Sequence, residues 1–241
     1  MLLRSATISG SLMQGSFMEF KKDLLILILA YNEARFIAEV VKESAPYAAE
    51  IAVVDDGSID ATGEIAGKAG ATVIRHLANK GKGAALQTGF NYAFGKGYQA
   101  VLTMDGDGQH RPEDIPSLLE RYQKSGAGMV VGCRTRNLKN MPLDRFVTNW
   151  FTSALISFLA RQRVQDSQSG FRVMDVRIVP SLSFSPSHFD TESEILVDAS
   201  RAGFQITEAP IQTVYGTEKS KQNPLRDTIR FFRFFFRHLF K

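Results

Sequence analysis

Val101-Leu102-Thr103-Met104-Asp105-Gly106-Asp107-Gly108-Gln109-His110 reads as the end of a buried strand running into an acidic, glycine-spaced turn. The first four residues are mostly apolar, and the two carboxylates that follow stand one residue apart. Alternate side chains of an extended segment point the same way, so Asp105, Asp107 and Gln109 can face one point. Their oxygens make a hard donor set suited to Mg2+ or Mn2+, ions that also keep phosphate oxygens as ligands. The interleaved glycines permit positive φ or a close backbone approach. Asp and Gly are equally ordinary turn formers, so this segment alone leaves metal site and plain turn open. An EF-hand is excluded, because the fifth, sixth and twelfth loop positions would fall on Gln109, His110 and Pro116.

On either side of this stretch the chain repeats the same grammar. Leu24–Ala30 is a continuous apolar run, the pattern of a parallel strand buried on both faces. Ile51–Val54, Thr72–Ile74, Ala100–Thr103 and Met129–Gly132 read as further strands. The spacing predicts helices over Glu33–Ala45, Asp60–Ala69, Lys82–Phe94, Pro112–Lys124 and Thr191–Ala202. Alternation at this pitch predicts an α/β fold with a mainly parallel central sheet and helices on both faces. Ligands of such sheets bind outside the carboxyl ends of the strands. Three of those ends are polar: Tyr31-Asn32-Glu33, Asp55-Asp56-Gly57-Ser58 and Asp105-Gly106-Asp107. All three are expected on one rim, which is harder to explain by solvation than a single acidic turn.

Composition narrows the function classes. Cys133 is the one cysteine among 241 residues, so an intrachain disulfide and a cysteine-based zinc site are both excluded. The four histidines (His76, His110, His188, His238) lack metal-ligand spacing and read as surface or satisfied core residues. No GxxxxGK[ST] phosphate loop or GxSxG elbow is present, and Gly81-Lys82-Gly83 is an incomplete dinucleotide fingerprint. The formal charge of +4 is concentrated at the end of the chain. Residues 218–241 hold seven Lys and Arg against Glu218 and Asp227, a net +5, leaving the rest at −1. That distribution argues against a nucleic-acid-binding surface. Residues 1–20 are expected to form a poorly ordered extension, with Met18 a candidate natural start.

The ordered motifs resemble a known family. Tyr31-Asn32-Glu33, Asp55-Asp56-Gly57-Ser58-Ile59-Asp60-Ala61-Thr62, Asn79-Lys80-Gly81-Lys82-Gly83 and Asp105–Asp114 look like the inverting family 2 glycosyltransferases of GT-A (Rossmann-like) fold. Gly132-Cys133-Arg134, Asp166-Ser167-Gln168-Ser169-Gly170-Phe171-Arg172 and Tyr215–Lys221 resemble its polyprenyl-phosphate (dolichyl-phosphate) mannose and glucose synthases. The match runs in order from about Leu24 to Arg230. In one departure, Leu29 stands where relatives often carry a proline. The resemblance implies a GT-A domain over 21–223, divided into a nucleotide-binding half (21–132) and an acceptor-binding half (133–223).

It also implies roles. Asp56 would hydrogen-bond the nucleobase and Glu33 the ribose or base region, with Tyr31 and Lys82 also on the donor side. For Asp55 and Ser58 a turn and helix cap is the preferred reading. Asp105 would meet the sugar or the metal, Asp107 would bind Mg2+ or Mn2+, and Gln109 would complete the set. An acceptor phosphate is already anionic and needs cations rather than a base: Arg134 and Arg145 are the candidates, followed by Ser169 and Arg172. Lys219 and Lys221 would close over the donor diphosphate. A hydroxyl acceptor would instead need a base, and Asp190 or Glu192 is where it is expected, unless both simply start a helix. A reading from another class, a catalytically silent sugar-nucleotide-binding subunit, has no use for intact metal ligands.

Membrane contact is expected to be peripheral, from the cytosolic side, since no apolar run reaches about 18 residues. In 224–241, Arg226, Arg230, Arg233, Arg237 and Lys241 fall on one helical stripe with aromatics over most of the remainder, an amphipathic pattern suited to an anionic lipid surface. Phe146–Leu159 is apolar enough to cover an acceptor groove or touch lipid.

Overall fold

The computed structural model describes residues 20–134, 143–184, 191–212 and Phe235, with the side chains of 143–149 outside that description. In chain order the elements are β1 (Leu24–Ala30), α1 (Ile37–Ser44), β2 (Glu50–Asp55), α2 (Thr62–Lys68), β3 (Thr72–Arg75), α3 (Lys82–Lys96) and β4 (Ala100–Asp105). They continue as α4 (Ile115–Ser125), β5 (Met129–Arg134), α5 (Leu143–Ala160), β6 (Arg172–Asp175), α6 (Thr191–Arg201) and β7 (Ile206–Ile211). Short 3-10 turns precede α4 and follow α1 and β6.

All of β1 is buried. Leu25, Leu27 and Leu29 enter one core layer, with Phe90 of α3, Ile156 of α5 and Leu196 of α6. Leu24, Ile26 and Ile28 enter the other, with Val40 of α1, Ala66 of α2 and Leu118 of α4. A strand covered on both faces has no solvent side, and this is why its sequence is a run rather than an alternation.

The described strands form one sheet in the order β3-β2-β1-β4-β6-β5-β7. The chain builds outward from β1 to β3 and then restarts on the other side of β1 with β4, so the gap between β1 and β4 is a topological switch point. The registers are parallel, and Ala30 pairs with Asp55 while Leu29 pairs with Asp105. The three polar strand ends therefore share one rim, as the sequence predicts.

Two strands lie beyond the sequence reading. β6 is antiparallel to both neighbours and separates β5 from β4. It is four residues long and begins with a buried arginine, which breaks the apolar pattern. β7 takes the sheet edge and contains Pro210, which an edge tolerates. The first helix also starts later than predicted. Asn32 takes a positive φ of 61°, and the amides of Asn32, Glu33 and Ala34 bond to side chains of the β2 loop instead of starting a helix. The helix expected over 224–241 lies outside the described residues, Phe235 excepted.

Candidate active site

Side chains tie the first two strand ends together. Ser58 Oγ accepts from Asn32 N (2.9 Å), Thr62 Oγ1 from Glu33 N (2.8 Å), and Asn32 Oδ1 from Ile59 N (2.9 Å). Short polar side chains compete well for backbone groups in turns, so both loops are held at fixed height above the switch point.

The two carboxylates that end β2 face inward. Asp55 is fully buried and its Oδ1 accepts from Ser58 N at 2.8 Å, an Asx-type turn as expected. Ser58 does not cap α2: the helix starts at Thr62 after Ala61 without a side-chain cap, and Asp60 Oδ1 accepts from Thr62 N at 2.9 Å in the turn ahead of it. Asp56 is 4 % exposed. Its Oδ1 lies 2.6 Å from His76 Nδ1 and accepts from Lys80 N at 3.0 Å, while its Oδ2 accepts from Gly81 N at 2.8 Å. Asp56 thereby fixes the loop that leads into α3, and His76, held also by Thr88 Oγ1 at 2.9 Å, is a satisfied core histidine.

The end of β4 is arranged differently. Lys82, the first residue of α3, bridges Asp105 Oδ1 (2.8 Å) and Glu192 Oε1 (2.7 Å), joining three elements from both halves of the chain. Burial alone would lower the Lys82 pKa, but the two carboxylates overcome it and hold the ammonium above its ordinary value. Burial would likewise raise Asp105, yet the charges of Lys82 and Arg134 bring its carboxyl below the usual range. Gly170 stands over the pair: a Cβ there would come within 3.0 Å of Lys82 Nζ and 3.2 Å of Asp105 Oδ2. Asp105 N donates to His110 Nδ1 at 3.2 Å. That nitrogen then carries no proton, so the 4.0 Å approach of His110 to Asp105 is not an ion pair, and burial keeps the imidazole pKa below its usual value. Asp107 Oδ1 accepts from Gln109 N at 2.9 Å, and Gly108 supplies the turn with φ of 72°.

An open cleft of about 360 Å3 lies over the switch point, lined by Tyr31, Glu33, Asp56, Lys82, Asp105 and Asp107 among others. Six residues assigned to donor or metal from sequence thus line one cavity of ligand size. Among the described residues no three His, Cys, Asp or Glu side chains form a closed metal cage. Two carboxylates facing a cleft do fit Mg2+ or Mn2+, which bind through one or two carboxylates and complete their shell with water and phosphate.

On the acceptor side, Arg134 donates from Nε to Asp166 Oδ2 (2.6 Å) and from Nη2 to Asp166 Oδ1 (2.7 Å), a bidentate pair that sets the guanidinium plane. Asp166 lies within a motif that the sequence singles out, but nothing local in the sequence assigns it to Arg134. Arg172 is 2 % exposed and donates to the carbonyls of Ser169 (2.7 Å), Glu192 (2.7 Å) and Ser167 (2.9 Å). Burial draws its pKa down to about 10, against Glu192, Asp166 and Asp105, which raise it. The guanidinium is enclosed by protein carbonyls rather than presented to the cleft, so Arg172 clamps the Ser167–Gly170 loop to the start of α6. Ser169 is also buried, its Oγ accepting from Phe171 N at 3.4 Å. Arg145 lies on α5 with its side chain outside the described set, and Asp190, Lys219 and Lys221 lie outside the described residues.

Residues 25–181 match the glycosyl transferase family 2 model. The chain is 33% identical over 217 residues to the UDP-N-acetylglucosamine–dolichyl-phosphate N-acetylglucosaminyltransferase of Methanococcus voltae, covering 80% of this chain and 86% of that one. It is 27% identical to the polyprenol monophosphomannose synthase of Mycolicibacterium smegmatis, over 85% and 83% of the two chains. In structure it is similar to glucosyl-3-phosphoglycerate synthase from Mycobacterium tuberculosis, crystallised with Mn2+ and UDP-glucose, with a TM-score of 0.71, 21% identity, and 92% and 82% of the chains covered. That likeness establishes the GT-A fold, and the sequence matches establish the family. A glycosyltransferase cleft at the β1–β4 switch point is what the fold leads one to expect, and the chain belongs to glycosyl transferase family 2.

Proposed function

We propose that the chain transfers a hexose from a nucleotide sugar to a polyprenyl phosphate at a membrane surface, with inversion at the sugar C1. The observation that carries this reading is the cleft in which Asp105, Asp107 and Lys82 converge above the switch point. Asp105 and Asp107, with Gln109, would hold Mg2+ or Mn2+. Bound there, the ion would neutralise the departing diphosphate. The Mn2+ and UDP-glucose in the mycobacterial structure support this donor side.

The remaining steps belong to the chain's own residues. Asp56 has three protein donors on a carboxylate with about four acceptor positions. The fourth accepts the ring N–H of uracil or guanine. Glu33 and Tyr31 line the ribose side, and Lys82 holds a diphosphate oxygen, with Lys219 and Lys221 closing over it. Arg134, oriented by Asp166, grips the acceptor phosphate together with Arg145. Ser169 and Arg172 shape the wall between acceptor and donor. The phosphate oxygen attacks C1, the C1–O bond to the diphosphate breaks, and no base is required because the nucleophile is already anionic. A hydroxyl acceptor would need Asp190 or Glu192 as base, and Glu192, ion-paired to Lys82 at 2.7 Å, is poorly placed to take a proton. The dolichyl-phosphate and polyprenol relatives support the lipid phosphate.

The test is incubation with membranes, Mn2+ and each radiolabelled nucleotide sugar, followed by extraction into organic solvent. Label in a lipid that mild acid releases is expected, lost with a chelator and restored by Mn2+. Label confined to a polymer or an acid-stable glycolipid would overturn the acceptor.

A further inference from the structure

Glu208 is an acidic residue where the pattern of β7 calls for an apolar one. It follows Ile206 by two residues, and Ile206 packs against the core layer that holds Ile156 and Leu196, while Ala209 and Ile211 enter the other layer. Glu208 therefore faces the α5 and α6 side of the sheet, where it is half-buried. A carboxylate so placed costs desolvation unless it is hydrogen-bonded. Its bonds go to the link between α5 and β6: Oε1 accepts from Gln165 N at 2.6 Å and from Asp166 N at 3.2 Å, and Oε2 accepts from Gln165 Nε2 at 2.8 Å. The same link is held at Val164 N, which donates to Ser157 Oγ at 2.9 Å, and at Gln162, whose Oε1 accepts from Ile206 N at 2.8 Å. Residues 162–166 are thus docked along the edge strand, and the docked stretch ends on Asp166, the partner of Arg134.

We infer that Glu208 is a positioning residue for the acceptor phosphate: by holding Gln165 and Asp166 it sets the plane of the Arg134 guanidinium. A bidentate pair keeps guanidinium and carboxylate coplanar, so whatever tilts Asp166 tilts Arg134. The backbone of Arg134 is fixed by the sheet, since β5 and β7 pair in register from Met129 with Ile206 to Arg134 with Ile211. The sheet does not fix the loop that carries Asp166, and Glu208 anchors that loop to the strand beside Arg134. Anchor and phosphate ligand therefore share one rigid frame. A carboxylate suits the task, because its bonds to N–H groups are roughly twice as strong as neutral ones, and a ligand group must be held to within about 0.5 Å to bind well. The inference rests on the reading above in taking Arg134 to grip the acceptor phosphate.

The Arg134 Nε–H, bonded to Asp166, is observed by nitrogen–proton correlation NMR of the full chain and assigned by its loss in Arg134→Lys. Glu208→Ala is expected to broaden or abolish that signal. Glu208→Gln keeps an oxygen for the two backbone amides, and Gln165 can turn its own amide to match, so there the signal is expected to return. Transfer is then measured to a short-chain polyprenyl phosphate in detergent, with Mn2+ and the nucleotide sugar that labels lipid. Glu208→Ala is expected to raise the acceptor KM roughly tenfold with the donor KM unchanged, Glu208→Gln to restore it, and Glu208→Ala to add nothing on top of Arg134→Lys. A merely structural role would lower the melting temperature and the active fraction with both KM values unchanged. Should Glu208→Ala not fold, Glu208→Asp, one methylene shorter, takes its place in both measurements. An Arg134 signal indifferent to Glu208 overturns the inference, as does an acceptor KM that rises in Arg134→Lys but not in Glu208→Ala. Loss of the signal in Glu208→Ala alongside an acceptor KM unmoved by Arg134→Lys, or with no transfer to polyprenyl phosphate at all, would sink the acceptor reading and leave the positioning of Arg134 standing.

Discussion

The ends of β2 and β4 look alike in sequence and have opposite fates in the fold. Both put two carboxylates and a glycine at the same rim, one strand apart across β1. At β2, Asp55 and Asp56 are buried: backbone amides hold Asp55 Oδ1 and both oxygens of Asp56, His76 adds to Asp56, and Arg75 stands 3.4 Å from Asp55 Oδ2, although Asp56 also lines the cleft. At β4, Asp105 and Asp107 line the cleft, and Asp105 is balanced by a lysine side chain from another element. A backbone amide cannot leave without unfolding its loop, whereas a lysine can exchange its place with another cation. Acidic strand ends of similar composition therefore divide into a scaffold and a reactive edge, according to what donates to them.

The largest effect separates them by activity. Asp107→Ala is expected to reduce transfer by about 10^3-fold or more, while stability changes by about 1 kcal/mol, the order of the hydrogen bond that its Oδ1 accepts from Gln109 N. Steady-state transfer and urea unfolding on the same preparation check both halves. A silent binding subunit would lose nothing. The converse change comes next. Asp56→Ala strands two backbone amides and His76, and is expected to cost about 2–4 kcal/mol of stability, lowering the thermal midpoint by several degrees. If Asp56→Ala folds as well as the parent and merely binds donor more weakly, the division between scaffold and reactive edge is wrong.

Much of this was legible from one dimension, for physical reasons. The run Leu24–Ala30 could only be a strand covered on both faces, and parallel strands place their polar ends on one rim whatever the loops do. The partners across the rim were not legible. Arg172 resembled a phosphate ligand by its charge and neighbours, but its donors close on the carbonyls of Ser167, Ser169 and Glu192, a geometry that only the antiparallel insertion of β6 creates. The Lys82–Glu192 pair joins residues 110 positions apart, and nothing local in either segment announces it. Trp150, Phe151 and Phe158 of α5 were visible as apolar density; their outward orientation was not.

A smaller perturbation tests whether the reactive edge depends on Lys82 staying in place. Gly170→Ala would bring a methyl within 3.0 Å of Lys82 Nζ and 3.2 Å of Asp105 Oδ2. Because the ammonium ends a flexible side chain, it is expected to shift rather than unfold the site. Loss of about tenfold in kcat/KM, equivalent to about 1.4 kcal/mol, with an unchanged melting curve would match. A large drop in stability would mean that the Lys82 bridge is scaffold after all.

The smallest effect lies at the opposite end of β2, where Glu50 accepts from Tyr92 Oη at 2.6 Å and from Tyr98 Oη. Here a carboxylate is held by hydroxyls at an accessible surface, an intermediate between the two rim cases. Burial would raise its pKa, but hydrogen bonds from Thr72, Tyr92 and Tyr98 and the charge of Lys96 bring it below the ordinary 4.5. A carboxyl lowered in the folded state contributes stability above its unfolded pKa and loses it as pH falls through the folded value. Burial and Glu50 raise Tyr98 above its ordinary 10, so its contribution is present below pH 10 and fades as pH climbs past it. Tyr98→Phe should therefore cost about 0.5–1.5 kcal/mol at neutral pH and flatten the stability curve on the acid side, where Glu50 titrates, and on the alkaline side, where the phenol does. Unfolding curves from pH 3 to 11 measure it, and a uniform loss across that range would show packing of the ring, not its hydroxyl, to be what holds this end of the strand.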